Sequence, residues 1–157
     1  MRDARQPFAA VWACDHAAEW RRTMRAMRWD RSVPAFSNCS LDNNPGTGDA
    51  DSGEPWGQIN GYLLWDYGSV VDEADRWETT LYLIAASPEN VCTVDVTPRH
   101  RKNFNPKAGA KFKWANTSVA DGKVVGSGEV VADEHGLVTL RQVTVGKGKN
   151  RIAVVRK

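Results

Sequence analysis

At 157 residues the chain has the usual size of one domain, long enough to bury a core but short for an enzyme carrying all of its parts. A hydrophobic share of 41%, a charged share of 25% and a net charge of +2 are ordinary for a globular chain and give no push toward nucleic acid or an anionic membrane surface. No apolar run approaches the roughly 18 to 20 residues that cross a bilayer, so neither membrane nor nucleic acid is expected as a partner.

The segment from Pro7 to Cys14 is apolar and strand-like. It is short for the hydrophobic part of a signal peptide and lacks a small-x-small cleavage site, so no signal peptide is read here. A chain that opens directly into a core strand is expected to be the tail of a longer protein. Asp15 offers an N-cap oxygen to a following helix, in which Ala17, Trp20, Met24 and Met27 fall on one stripe and Arg21, Arg22, Arg25 and Arg28 point elsewhere. Pro34 stops any continuation. The expected organisation is an N-terminal strand and helix over 1–33, a long polar loop over 34–57, and a β-sandwich module over 58–157.

The loop contains DNNPGTGDADSG, residues 42–53. Asp42, Asn44, Asp49 and Asp51 supply hard oxygen donors, and the glycines let carbonyls turn inward, as a calcium ion requires. The spacing is not that of an EF-hand, because Gly53 stands where a bidentate glutamate is needed. The same residues also build a solvated connector rich in Asx turns. Both readings stay open, with calcium as the cofactor that the first implies.

Beyond Gly57 the pattern changes to short strands with Gly-rich turns. Ile59–Trp65, Trp77–Ala85, Val91–Thr97, Lys111–Asn116, Lys123–Val131, Leu137–Val145 and Arg151–Val155 read as strands. In Val91–Thr97, Cys92, Val94 and Val96 alternate with Thr93, Asp95 and Thr97, which predicts a half-buried strand. This rhythm indicates a mainly β protein, an antiparallel sandwich of Ig-like or transthyretin-like type.

Few residues suggest chemistry. Cys14, Cys39 and Cys92 show no CxxC and no zinc spacing with histidine. Cys39 with Cys92 is the favoured pair if a disulfide forms; three buried thiols are the other reading. His16, beside Asp15 between a predicted strand and helix, is the candidate catalytic imidazole, or simply a polar residue at a helix start. No GxSxG elbow occurs, and Ser127 in Gly126-Ser127-Gly128 lacks its spacing. His100 and His135 stand alone, and the basic stretch Arg99–Lys102 reads as a solvated edge. Trp56 and Trp65 flank a strand beside the acidic loop and are candidate sugar-stacking residues, although most of the seven tryptophans should lie in the core.

Several stretches carry a resemblance: Phe36–Asp42 with the following Pro-Gly-x-Gly-Asp, Gly61–Trp65, Arg76–Glu78, Thr93–Arg99, and Gly128–Asp133 leading to Gly136–Leu140. In these the chain resembles the C-terminal β-sandwich region of large exported bacterial α/β-hydrolase-like proteins, and Asp133–Leu140 is also similar to transthyretin-like and bacterial Ig-like modules. The resemblance implies that the strand before Cys14 and the helix from Ala17 are the last elements of a hydrolase part, with His16 at its catalytic imidazole. The nucleophile and oxyanion hole of that family are missing here. What it implies is a non-catalytic accessory module of an extracytoplasmic protein, partnered with an upstream catalytic domain of the same or a longer polypeptide, packing on that domain or binding a polysaccharide. A hydrolase fragment contributing His16 and a calcium-stabilised carbohydrate-binding domain are the alternatives.

Overall fold

A computed structural model describes residues 30–42 and 60–157. These form eight strands: β1 (Val33–Ser37), β2 (Leu63–Asp72), β3 (Arg76–Leu83), β4 (Val91–Arg99), β5 (Lys111–Ser118), β6 (Val124–Val131), β7 (Leu140–Gly146) and β8 (Asn150–Arg156). They make two antiparallel sheets, one ordered β1-β4-β7 and the other β2-β3-β8-β5-β6. The expected antiparallel β-sandwich is therefore the observed fold, with seven strands after residue 57 as the turn rhythm predicts. The proposed N-terminal strand and helix, with Cys14 and His16, lie outside the described residues.

The core forms where the inward faces of the two sheets meet. Period-two alternation along β3 turns Trp77, Thr79, Leu81 and Leu83 inward, and along β8 Ile152 and Val154. Cys92, Val94 and Val96 of β4 and Val143 and Val145 of β7 cover them from the other sheet. Burying these side chains supplies the main driving force, about 1.5–3 kcal/mol for each large apolar group. Asn116 of β5, fully buried, crosses the core to donate its amide to the Thr144 carbonyl of β7 at 2.6 Å, a polar tie between the sheets.

Two local departures from alternation shape the smaller sheet. Leu140 and Val143 of β7 both point inward although they are three residues apart. The extra residue is a bulge opposite Asp95, where the register slips between Val94 and Val96 and Gln142 takes a left-handed φ of 52°. At the other edge, Val33–Ser37 pairs with Arg99–Asp95, so the stretch assigned from sequence to the polar loop begins instead as a strand of the sandwich. The misreading has a physical cause: Pro34 looks like a breaker, but β1 is an edge strand, where a missing N–H is tolerated. Its partner Pro98 sits beyond the last β4–β7 pair, Val96 with Leu140, and so also withholds no ladder bond there.

The connections are pinned by side chains. Trp77 Nε1 donates to Ser32 Oγ at 2.9 Å, and Ser32 Oγ donates to the Arg99 carbonyl at 2.9 Å, locking the entry to β1 over the core indole. Ser32→Ala should leave the buried indole N–H without its acceptor and destabilise the fold by about 1–3 kcal/mol, read by urea unfolding. The Asp72 carboxylate accepts backbone N–H groups from Lys102 at 2.7 Å and Phe104 at 2.7 Å. This holds the β4–β5 crossover so that Phe104 is fully buried, edge-to-face with Phe112 at 5.2 Å.

Candidate functional site

β6 and β7 are the end strands of their respective sheets, on the same side of the sandwich. Between them runs an open groove of about 550 Å³, floored by Trp114, Val130, Leu137 and Leu140 and bordered by Glu129, Thr139 and Arg141. The local sequence explains why it is there. In Lys111–Ser118 alternation sends Phe112 fully into the core, while Trp114, two residues on, reaches only the rim and is half-buried. Trp114 pairs with Gly128 of β6, and a Cβ at Gly128 would stand 3.0 Å from the indole Nε1, one at Gly126 3.7 Å from the ring. The two glycines thus let the indole lie against the β6 backbone, an aromatic shielding a strand where no side chain can.

The polar rim is electrostatically mixed. A hydrogen bond from Lys157, aided by the charges of Lys113 and Lys111, holds the Glu129 carboxyl below the usual carboxylate range. Asp133 is likewise held low, first by the Leu137 N–H and then, against slight burial, by the His135 N–H, so its Oδ1 serves the turn. Thr139 Oγ1 shares a 2.9 Å hydrogen bond with Thr97. The rim thus holds a carboxylate paired with Lys157, a hydroxyl bonded to Thr97 and the Arg141 guanidinium, beside the half-buried indole.

On the outer face of the smaller sheet lies a second polar cluster, centred on Asp95. The sequence places Asp95 on the solvent side of a half-buried strand; the structure leaves it only 3% exposed. Its Oδ1 accepts the Gln142 backbone N–H at 2.8 Å and the Gln142 amide at 3.3 Å, and its Oδ2 accepts the Asn38 amide at 2.8 Å. Burial pushes the carboxyl up, but the bonds from Gln142 and Asn38 and the charge of Arg141 outweigh it and keep Asp95 below the usual carboxylate range. Asn38 and Gln142 both have left-handed backbone, φ 53° and 52°. The carboxylate thus ties the turn after β1 to the bulge between β4 and β7, a structural clamp whose two oxygens are bonded to the chain's own N–H groups.

The residues singled out from sequence are not brought together. Trp65, expected as a stacking residue, is 9% exposed and packs edge-on against Phe36 at 6.1 Å and Tyr67 at 4.9 Å, because alternation along β2 turns it inward. A buried indole has no free face for a sugar, so that expectation is corrected. Asp42 Oδ1 accepts the Asn60 N–H at 2.9 Å, joining the two ends of the 43–59 segment. Among the described residues no cluster of three or more His, Cys, Asp or Glu side chains is arranged to hold a metal ion. The other proposed calcium donors, Asn44, Asp49 and Asp51, lie outside the described residues, as do Trp56 and His16. His100 adopts φ 51° after β4, and His135 faces Glu134 at 3.5 Å in an exposed turn. Trp114 was not singled out from sequence; the signal for it was an indole on a strand followed, one hairpin later, by Gly-Ser-Gly.

In comparison with known proteins, no family model, curated protein or solved structure matches the chain. What the fold and the groove define is a class: an antiparallel β-sandwich with an aromatic-floored groove between its two end strands.

Proposed function

We propose that the chain is a non-catalytic accessory module of a larger exported hydrolase and that it binds a polysaccharide along the groove between β6 and β7. The observation that carries this reading is the half-buried Trp114 indole, held against Gly126 and Gly128 with Glu129, Thr139 and Arg141 at its margin. A sugar ring needs an apolar platform for its C–H face and hydrogen-bonding groups for its hydroxyls. An open groove suits a chain that runs through it better than a small molecule that must be enclosed. Two carboxylates point the same way: the partly exposed Asp72 and the buried Asp95 accept from backbone N–H groups of their own chain, whereas a general acid or base must be aimed at a substrate. The resemblance of Thr93–Arg99 and Gly128–Leu140 to the sandwich regions of exported hydrolase-like proteins supports the setting.

The test is affinity electrophoresis in native gels containing soluble β-glucan, xylan, mannan or pectin. At least one polymer should retard the chain, and Trp114→Leu should weaken that retardation about tenfold, equivalent to about 1.4 kcal/mol. Circular dichroism serves as the control for folding. Equal retardation of chain and variant, no retardation by any polymer, or hydrolysis of an ester or glycoside by the chain alone would each contradict the proposal.

A further inference from the structure

The edges of the two sheets are β1 and β7 in one and β2 and β6 in the other. An edge strand invites a further strand unless something keeps it off. Pro34 removes an N–H from β1, the ladder of β2 slips between Asp66 and Val71, and β7 bulges at Gln142 beside Arg141. Over Gly126–Val131, β6 carries no such device: it has no proline, its one register slip falls before Gly126, and its one charge, Glu129, is paired with Lys157. The pairing with β5 shows which of its backbone groups face outward. The Ala132 N–H donates to the Ala110 carbonyl at 2.9 Å, whereas the Lys111 carbonyl accepts from Lys157 on the other side of β5 at 3.2 Å. Even-numbered residues of β6 therefore bond to β5, and Ser127, Glu129 and Val131 turn their N–H and C=O away from it. Among the described residues no strand pairs with that outer edge, and Val125 and Val131 bracket it, 47% and 54% exposed.

We propose that β6 is a dimerisation strand, whose outer edge pairs antiparallel with the same edge of a second copy about a two-fold axis at Gly128, joining the two five-stranded sheets into one. Self-complementarity argues for a second copy and fixes the register. Residues opposite each other in an antiparallel pair lie on the same face, so a two-fold between identical strands must pass through a residue. An axis at Glu129 would set that carboxylate against itself, and an axis at Ser127 would set Val131 against Lys123. An axis at Gly128 sets Val125 against Val131, Gly126 against Val130, and Ser127 against Glu129, each pair repeated by the symmetry. Ser127 and Glu129 then exchange both of their outward N–H and C=O groups, the valines at each end shield those bonds, and no like charges stand opposed. Beyond the valines, the same register brings Lys123 of each copy to Asp133 of the other, opposite charges at both ends of the pair. The inference does not rest on the polysaccharide reading, because it uses the outer backbone edge of β6 and its test contains no carbohydrate.

The experiment is sedimentation velocity on the full chain, from micromolar concentration to about 1 mM, where the mass of one chain should give way to that of two. Over the same range, hydrogen exchange should slow at the Ser127 and Glu129 amides and stay unchanged along the outer edges of β1 and β2. Val131→Glu, whose new carboxylate has Lys111 opposite it on β5 within the monomer, should weaken association at least about tenfold by setting a charge against Val125 of the second copy. Ser127→Pro, which removes an outward N–H and no bond to β5, should do the same, with circular dichroism as the control for folding. If the proline variant folds poorly, Val131→Glu and the exchange of the unaltered chain decide. The mass of one chain at every concentration, or association that Val131→Glu leaves unchanged and that does not slow the Ser127 and Glu129 amides, would overturn the proposal.

Discussion

Asp95→Ala is expected to destabilise the sandwich by about 1.5–3 kcal/mol in urea unfolding, because it removes the charged acceptor that the Gln142 N–H and the Asn38 amide share in part-buried hydrogen bonds. Both donors sit on left-handed backbone, so the turn after β1 and the β7 bulge lose the contact that holds them in an unfavourable conformation. The effect should depend on pH in a defined direction. The folded Asp95 carboxyl lies below its ordinary value, so the stability it adds is complete above about pH 5 and is lost as pH falls through its folded pKa. The gap between the unaltered chain and Asp95→Ala should therefore narrow from about pH 5 downward. A gap that stays constant to the acid limit would mean the carboxylate's charge contributes nothing.

Gly136→Ala should be at least as damaging, at about 3–5 kcal/mol. Gly136 has φ 70°, and a Cβ there would collide with the Pro106 carbonyl oxygen. The backbone has little room to yield, since the Gly136 carbonyl accepts from Arg101 Nη1 at 2.6 Å and its N–H donates to Asp133 at 2.9 Å. Gly109 provides the comparison: φ is 78°, but nothing lies within 4 Å of its Cβ position. Gly109→Ala should lose only the left-handed preference, about 1–2 kcal/mol. Equal losses at the two positions, measured by denaturant midpoint, would show that the collision with Pro106 is relieved by movement of the turn.

Much of this fold was legible because strict alternation survives in β3, β4 and β8, where Trp77 to Leu83, Cys92 to Val96 and Ile152 to Val154 announce their inward faces. What alternation could not show was where it fails. The bulge at Gln142 shifts the inward phase of β7, and only a partner strand reveals that the displaced N–H is taken by Asp95. An Asp between two threonines looks solvent-facing until its acceptor role is seen. β1 was hidden by Pro34, whose meaning depends on whether the strand is an edge, a property of sheet order rather than of local sequence.

The groove illustrates the same limit. Trp65 and Trp114 both occupy strand positions with alternating neighbours, yet Trp65 is closed over by Phe36 and Tyr67, and Trp114 is left at the rim. The difference arises because β6 sets Gly128 opposite the Trp114 indole, whereas Trp65 has Leu81 opposite it and Phe36 and Tyr67 against its ring. Sheet order is set by the long-range pairing of β5 with β8, which no local pattern reports.

The most direct test of the central claim is a backbone and indole NMR titration of the isotopically labelled chain with oligosaccharides of whichever polymer retards it. Binding along the β6–β7 groove predicts shift changes at the Trp114 Nε1–H, at Gly126 to Val131 and at Thr139 to Arg141, with the β2–β3 hairpin unmoved. Changes centred on β2, β3 or residues 43–59 with a silent Trp114 indole would place binding elsewhere and contradict the account.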